Sequence, residues 1–94
     1  MYNLEHTIKP KHRSPVSFPI EKSFCVKKVF LQGGVGLTIG KAKSNSRVLL
    51  QGDRPMTAVV GLLNLLCPKV EKGVLSFEIT NPTEGEIWFK LEIT

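Results

Sequence analysis

The stretches VLSFEIT (residues 74–80) and EIWFKLEIT (residues 86–94) alternate apolar and polar residues almost without a break. Leu75, Phe77 and Ile79 share one face of the first, and Ile87, Phe89, Leu91 and Ile93 share one face of the second. Side chains of a strand point to opposite faces in turn, so a period of two fits a half-buried strand and not a helix. Between the two, NPTEG has turn chemistry, with Pro82 presetting φ and Gly85 free to take a positive value. The spacing predicts a hairpin pairing Ile79 with Ile87, Phe77 with Phe89 and Leu75 with Leu91. The same register sets Glu78 beside Trp88 and Ser76 beside Lys90 on the polar side.

Upstream, FCVKKVFL (residues 24–31) reads as a strand whose alternation slips by one at Lys27-Lys28, which predicts a bulge. Val35, Leu37 and Ile39 then alternate with Gly36, Thr38 and Gly40, and the polar turn KSNS leads into a further strand, RVLLQ. Residues 54–67 admit two readings. Asp53 as a cap, Pro55 in a first turn and Pro68 as a stop punctuate a helix, with Met56, Val59, Val60, Leu63 and Cys67 on one stripe. Leu62, Leu65 and Leu66 widen that stripe almost all round, and a strand pair bent at Gly61 also fits. The punctuation slightly favours the helix.

Residues 1–22 carry Pro10, Pro15 and Pro19, each of which removes a backbone donor and biases its predecessor towards extended geometry. They are expected to form an extended basic arm, with VSFPI as an edge strand at most. The expected fold is therefore mainly β. A small antiparallel sheet domain, sandwich- or barrel-like, occupies residues 23–94 behind the arm, or an α+β domain if residues 54–67 are helical. At 94 residues there is room for one modest core. In plan, a basic arm leading into a β-domain, the chain resembles small virus or phage structural proteins.

Four glycines in the eight residues Gly33 to Gly40, followed by Lys41, invite comparison with a phosphate-binding loop. The match fails at the residues that carry the chemistry. The position five before Gly40 is Val35, and Ala42 stands where a Walker loop needs a magnesium-binding hydroxyl. A dinucleotide fingerprint starting at Gly34 meets Ile39 at its third glycine. Both motifs also need a helix N-terminus, whereas this stretch alternates like a strand. It reads as a sheet corner built on Gly33-Gly34.

No other constellation suggests catalysis. There is no GxSxG elbow, and His6 and His12 lie in the expected arm, so a nucleophile would lack a fixed base. Cys25 and Cys67, in apolar surroundings without a CxxC, read as buried free thiols that cannot form a structural zinc site by themselves. The longest apolar run, Met56 to Cys67, is twelve residues against the ~20 needed to cross a bilayer. The N-terminus lacks the pattern of a secretory signal. We therefore expect no catalytic residue, metal, cofactor, membrane or small-molecule substrate, and a cytoplasmic or virion location.

Charge is distributed unevenly. Residues 1–53 hold nine Lys and Arg against three acids, and residues 54–94 hold four against five. The basic half suits an anionic partner. Two functional classes follow. The first is a non-enzymatic assembly protein that forms a homo-oligomer or joins a larger complex through its arm (Val16, Phe18, Ile20), Trp88 and the Leu/Val-rich residues 56–66. The second is a single-stranded nucleic-acid-binding module using Lys9, Lys11, Arg13, Lys27, Lys28, Trp88 and Lys90, with bases stacking on the ring and lysines following phosphates. Glu78, expected beside Trp88, and Glu92 beside Lys90 weigh against the second.

Overall fold

The computed structural model describes residues 2–94. Its elements in chain order are β1 (Tyr2–Ile8), β2 (Arg13–Ile20), β3 (Phe24–Cys25), β4 (Val29–Gly33), β5 (Thr38–Ser44), β6 (Arg47–Pro55), α1 (Met56–Leu66), β7 (Lys69–Val70), β8 (Gly73–Thr80) and β9 (Ile87–Ile93). All strand pairing is antiparallel. One sheet runs β1-β9-β4, a second runs β2-β8-β5-β6, and β3 and β7 form a two-residue ladder. The fold is mainly β with one short helix, as the residue pattern predicts.

The predicted hairpin does not form. β8 pairs with β2 and β5, so that Ile79 lies opposite Ser14 and Ile39. β9 belongs to the other sheet, where Phe89 lies opposite His6 and Gly33. Residues 81–86 thus form an arch between sheets and not a turn within one. Alternation dictates which face of a strand is buried but leaves the identity of its neighbour open. The face assignment itself holds: Leu75, Phe77, Ile79, Phe89, Leu91 and Ile93 are all buried in one core. The β1–β2 and β4–β5 connections cross between the sheets in the same way, flanking the β8–β9 arch on either side.

The expected arm is extended but not free. Residues 2–8 pair with β9 and residues 13–20 with β8, and Leu4, Ile8, Val16 and Ile20 enter the core. Residue 1 lies outside the described residues. The prolines explain how a segment so punctuated still forms strands. The Asn81 N–H donates to His12 O (2.9 Å), and in an antiparallel ladder the bonded residues alternate, so Ser14, Val16, Phe18 and Ile20 bond to β8. Pro15 and Pro19 fall at the alternate positions facing away from the sheet, where no donor is needed.

The slip at Lys27-Lys28 is a bulge, since both N–H groups donate to the single carbonyl of Thr94, at 2.6 and 3.2 Å. The strand beyond the glycines begins at Thr38, later than its alternation suggests, because residues 34–37 form the β4–β5 arch. Residues 54–67 resolve into the helix, but Asp53 does not cap it. Pro55 is the N-cap, and Asp53 stays in β6. Cys67 closes the helix in the left-handed conformation (φ 46°), its N–H donating to Leu63 O at 3.0 Å. That places the Cys67 thiol outside the core, and Cys25, on the surface ladder, is exposed as well. Both depart from the buried thiols expected.

Candidate interaction surface

α1 is fixed on its inner side by the burial of Met56, Val59 and Leu63 between β4 and β6. Asn64 adds a polar clamp. Its Oδ1 accepts the Val29 N–H (2.8 Å) and its Nδ2 donates to Val29 O (3.0 Å), so the side chain occupies the place of a missing strand beside β4. The outer side of the helix is unusual in having no charge. None of its eleven residues is ionisable, and Thr57, Ala58, Gly61, Leu65 and Leu66 are exposed. Leu65 is 78% exposed and Leu66 57%. Val48, on the neighbouring strand β6, is exposed as well. A helix apolar all round is normally covered on both sides.

The structure scatters the remaining candidate residues. Val16 and Ile20 are buried in the chain's own core, and Phe18 is half-buried between Tyr2 and Phe77, at centroid distances of 5.8 and 6.4 Å. Of the four interface candidates only Trp88 faces outward, 42% exposed. Its Nε1 donates to Glu5 Oε2 at 2.8 Å. Lys9, Lys11 and Arg13 sit around the β1–β2 connection, where Lys11 contacts Glu84 (3.1 Å) and Pro82 O (2.8 Å). Arg13 lies 3.9 Å from Asp53 and 3.8 Å from Glu78. Lys90 pairs with Glu92 at 3.5 Å, while Lys28 caps the Phe30 ring at 4.4 Å from its centroid. The basic residues therefore do not converge, and several meet acids of their own chain.

Two participants escaped the sequence reading. Phe30, half-exposed on the outer face with Trp88, falls opposite Val29 and Leu31 in the alternation that resumes after the bulge. Glu5, expected in the arm, instead pairs with Lys90 from β1, which brings its carboxylate to the indole.

The glycine stretch is a corner. Gly33 and Gly34 have φ of 69° and 76°, Gly34 N–H donates to Trp88 O (3.0 Å), and Leu37 N–H to Gly34 O (3.1 Å). The indole lies so close that a Cβ on Gly33 would sit 2.9 Å from Cε3. Lys41 stands mid-strand, opposite Glu78 and Gln51, with no helix N-terminus near it. Gly33→Ala should cost about 1–2 kcal/mol from backbone strain alone, read as a lower midpoint in urea denaturation.

Among the described residues, no three His, Cys, Asp or Glu gather in metal-binding geometry. Nor, among those residues, is any helix long and apolar enough to cross a membrane. An open cavity of about 360 Å³ is lined by Tyr2, Lys22, Ser23, Phe24, Cys25, Lys27 and Thr94, and none of these described residues brings an imidazole or a side-chain carboxylate. Comparison with protein-family models, curated proteins and solved structures returned no match.

Proposed function

We propose that the chain is a non-enzymatic assembly domain that associates with protein, its own copies first, through the outer face of α1 and the adjoining strand β6. One observation carries this reading: an uncharged helix leaves Leu65 and Leu66 largely in water, although its inner side already fills the core. Exposed apolar area of this kind is stabilised when a partner removes it from water. The single-stranded nucleic-acid reading has less support, because Lys11, Arg13 and Lys90 each contact an acid of the same chain.

Sedimentation velocity at low and high salt, with and without a single-stranded oligonucleotide, tests the proposal. The protein should associate with rising concentration, and salt should change this little, because apolar contacts are poorly screened. Leu65→Glu should lower the mean mass and, at concentrations where the wild-type protein is monomeric, leave the thermal midpoint unchanged, since the replaced side chain is exposed. A protein monomeric at every concentration, or one whose mass changes only on adding oligonucleotide at low salt, would overturn the reading.

A further inference from the structure

The two sheets have four outer strands, and three of them carry a visible defence against further pairing. β2 turns Pro15 and Pro19 towards its free edge. β4 lies beside α1, with both backbone groups of Val29 taken by Asn64. β6 holds one extra residue between Val48 and Leu50 and another between Gln51 and Arg54, and such bulges twist an edge away from regular pairing. β1 has no such device. Its seven residues pair with β9 in unbroken register and contain no proline.

The hydrogen-bond pattern says which groups β1 leaves free. Lys28 and Thr94 exchange backbone bonds across β4 and β9, and Gly34 N–H donates to Trp88 O. Even-numbered residues of β9 therefore bond to β4 and odd-numbered ones to β1. On β1 the bonded residues are then Tyr2, Leu4, His6 and Ile8, opposite Ile93, Leu91, Phe89 and Ile87. Asn3, Glu5 and Thr7 direct their N–H and C=O groups outward. Such a row is a template for another extended backbone.

We propose that this edge pairs with β1 of a second copy across a two-fold axis, joining two three-stranded sheets into one of six strands. The side chains select the register. Opposing Glu5 to its own copy would set like charges directly across the seam, which is destabilising. Shifting the axis to Leu4 avoids this and opposes Asn3 to Glu5, an amide donor to a carboxylate, twice per dimer. On the other face the same shift sets Leu4 against Leu4 and the half-buried Tyr2 against the exposed His6. Self-association itself is what this interface takes from the assembly reading, but the surface is distinct from the helix, so the two can fail separately.

The test uses Leu65→Glu protein, in which the helical surface is disabled, followed by amide exchange and sedimentation at rising concentration. A weak dimer should persist. Exchange at Asn3 and Glu5 should slow as the dimer fills, while Leu4 and His6, already bonded to β9, stay protected throughout. Glu5→Pro, added to that background, removes one outward donor per chain and should weaken the dimer roughly a hundredfold. Glu5→Ala keeps the donor and should stay within about tenfold. If wild-type protein associates while the Leu65→Glu variant is monomeric, with exchange at Asn3 and Glu5 independent of concentration, the β1 pairing is overturned and the assembly reading stands. A monomeric wild-type protein overturns both.

Discussion

Phe89→Ala is expected to lower stability by about 3–5 kcal/mol, and Phe77→Ala by a similar amount. Both rings are fully buried near the middle of an inner strand of their sheet, Phe89 on β9 between β1 and β4, Phe77 on β8 between β2 and β5. Each truncation loses the transfer energy of a ring and leaves a void that strands held on both sides cannot close. His6 stacks near Phe89 (6.3 Å) and Phe18 near Phe77 (6.4 Å), so each loss also removes an aromatic neighbour. Ser76→Ala, on the outer face of β8, should change stability by less than about 0.5 kcal/mol. Urea denaturation of the three variants gives the comparison. If Ser76→Ala matched the phenylalanine variants, the inward and outward faces of β8 would be misassigned.

The same two strands show how far the sequence reaches. Period-two alternation identifies the buried face of β8 and β9 residue by residue, because burial is a property of each side chain alone. It does not identify the neighbour, because a hairpin and an arch bury the same set. Choosing between them required knowing that residues 2–20 would supply β1 and β2 as partners, and their prolines concealed this. Proline disqualifies a central strand, but Pro15 and Pro19 sit on a free edge where the missing N–H costs nothing. At the glycines the opposite holds. Failure of the phosphate motifs at Val35 and Ala42 already implied a corner, and the positive φ of Gly33 and Gly34 bears that out. The candidate surface was half legible. Leu65 and Leu66 stood out by broadening the helical stripe, whereas the free edge of β1 depends on tertiary pairing that no local pattern records.

Asn81→Ala should cost about 2–3 kcal/mol, more than any polar substitution on the outer faces, because the buried Ile8 carbonyl loses its donor and cannot turn to water. Asn81 is fully buried at the start of the β8–β9 arch. Its Nδ2 donates to Ile8 O (2.9 Å) and Gly85 O (2.8 Å), tying the arch to the end of β1 and to its own far side. Oδ1 accepts the Thr83 N–H (3.0 Å) and Thr83 Oγ1–H (2.6 Å), while the backbone N–H reaches His12 O across the β1–β2 connection. One side chain thus holds two adjacent arches in step, and alanine strands the Ile8 carbonyl and the Thr83 N–H, whereas Gly85 O keeps the Thr83 hydroxyl at 3.0 Å. Asn81→Asp should be worse at neutral pH, because a second oxygen would face the Ile8 and Gly85 carbonyls where the amide now donates. Burial beside those carbonyls raises the folded-state pKa of the introduced carboxyl above its unfolded value. The folded form then holds the proton more tightly, so the stability of this variant should fall as pH rises through that range and recover on acidification. Thr83→Val, which removes only the hydroxyl of the arch, should cost about 1 kcal/mol. Denaturation midpoints across pH for the three variants decide the matter. A pH-independent Asn81→Asp protein no less stable than Asn81→Ala would show that the amide nitrogen does not hold the arches together.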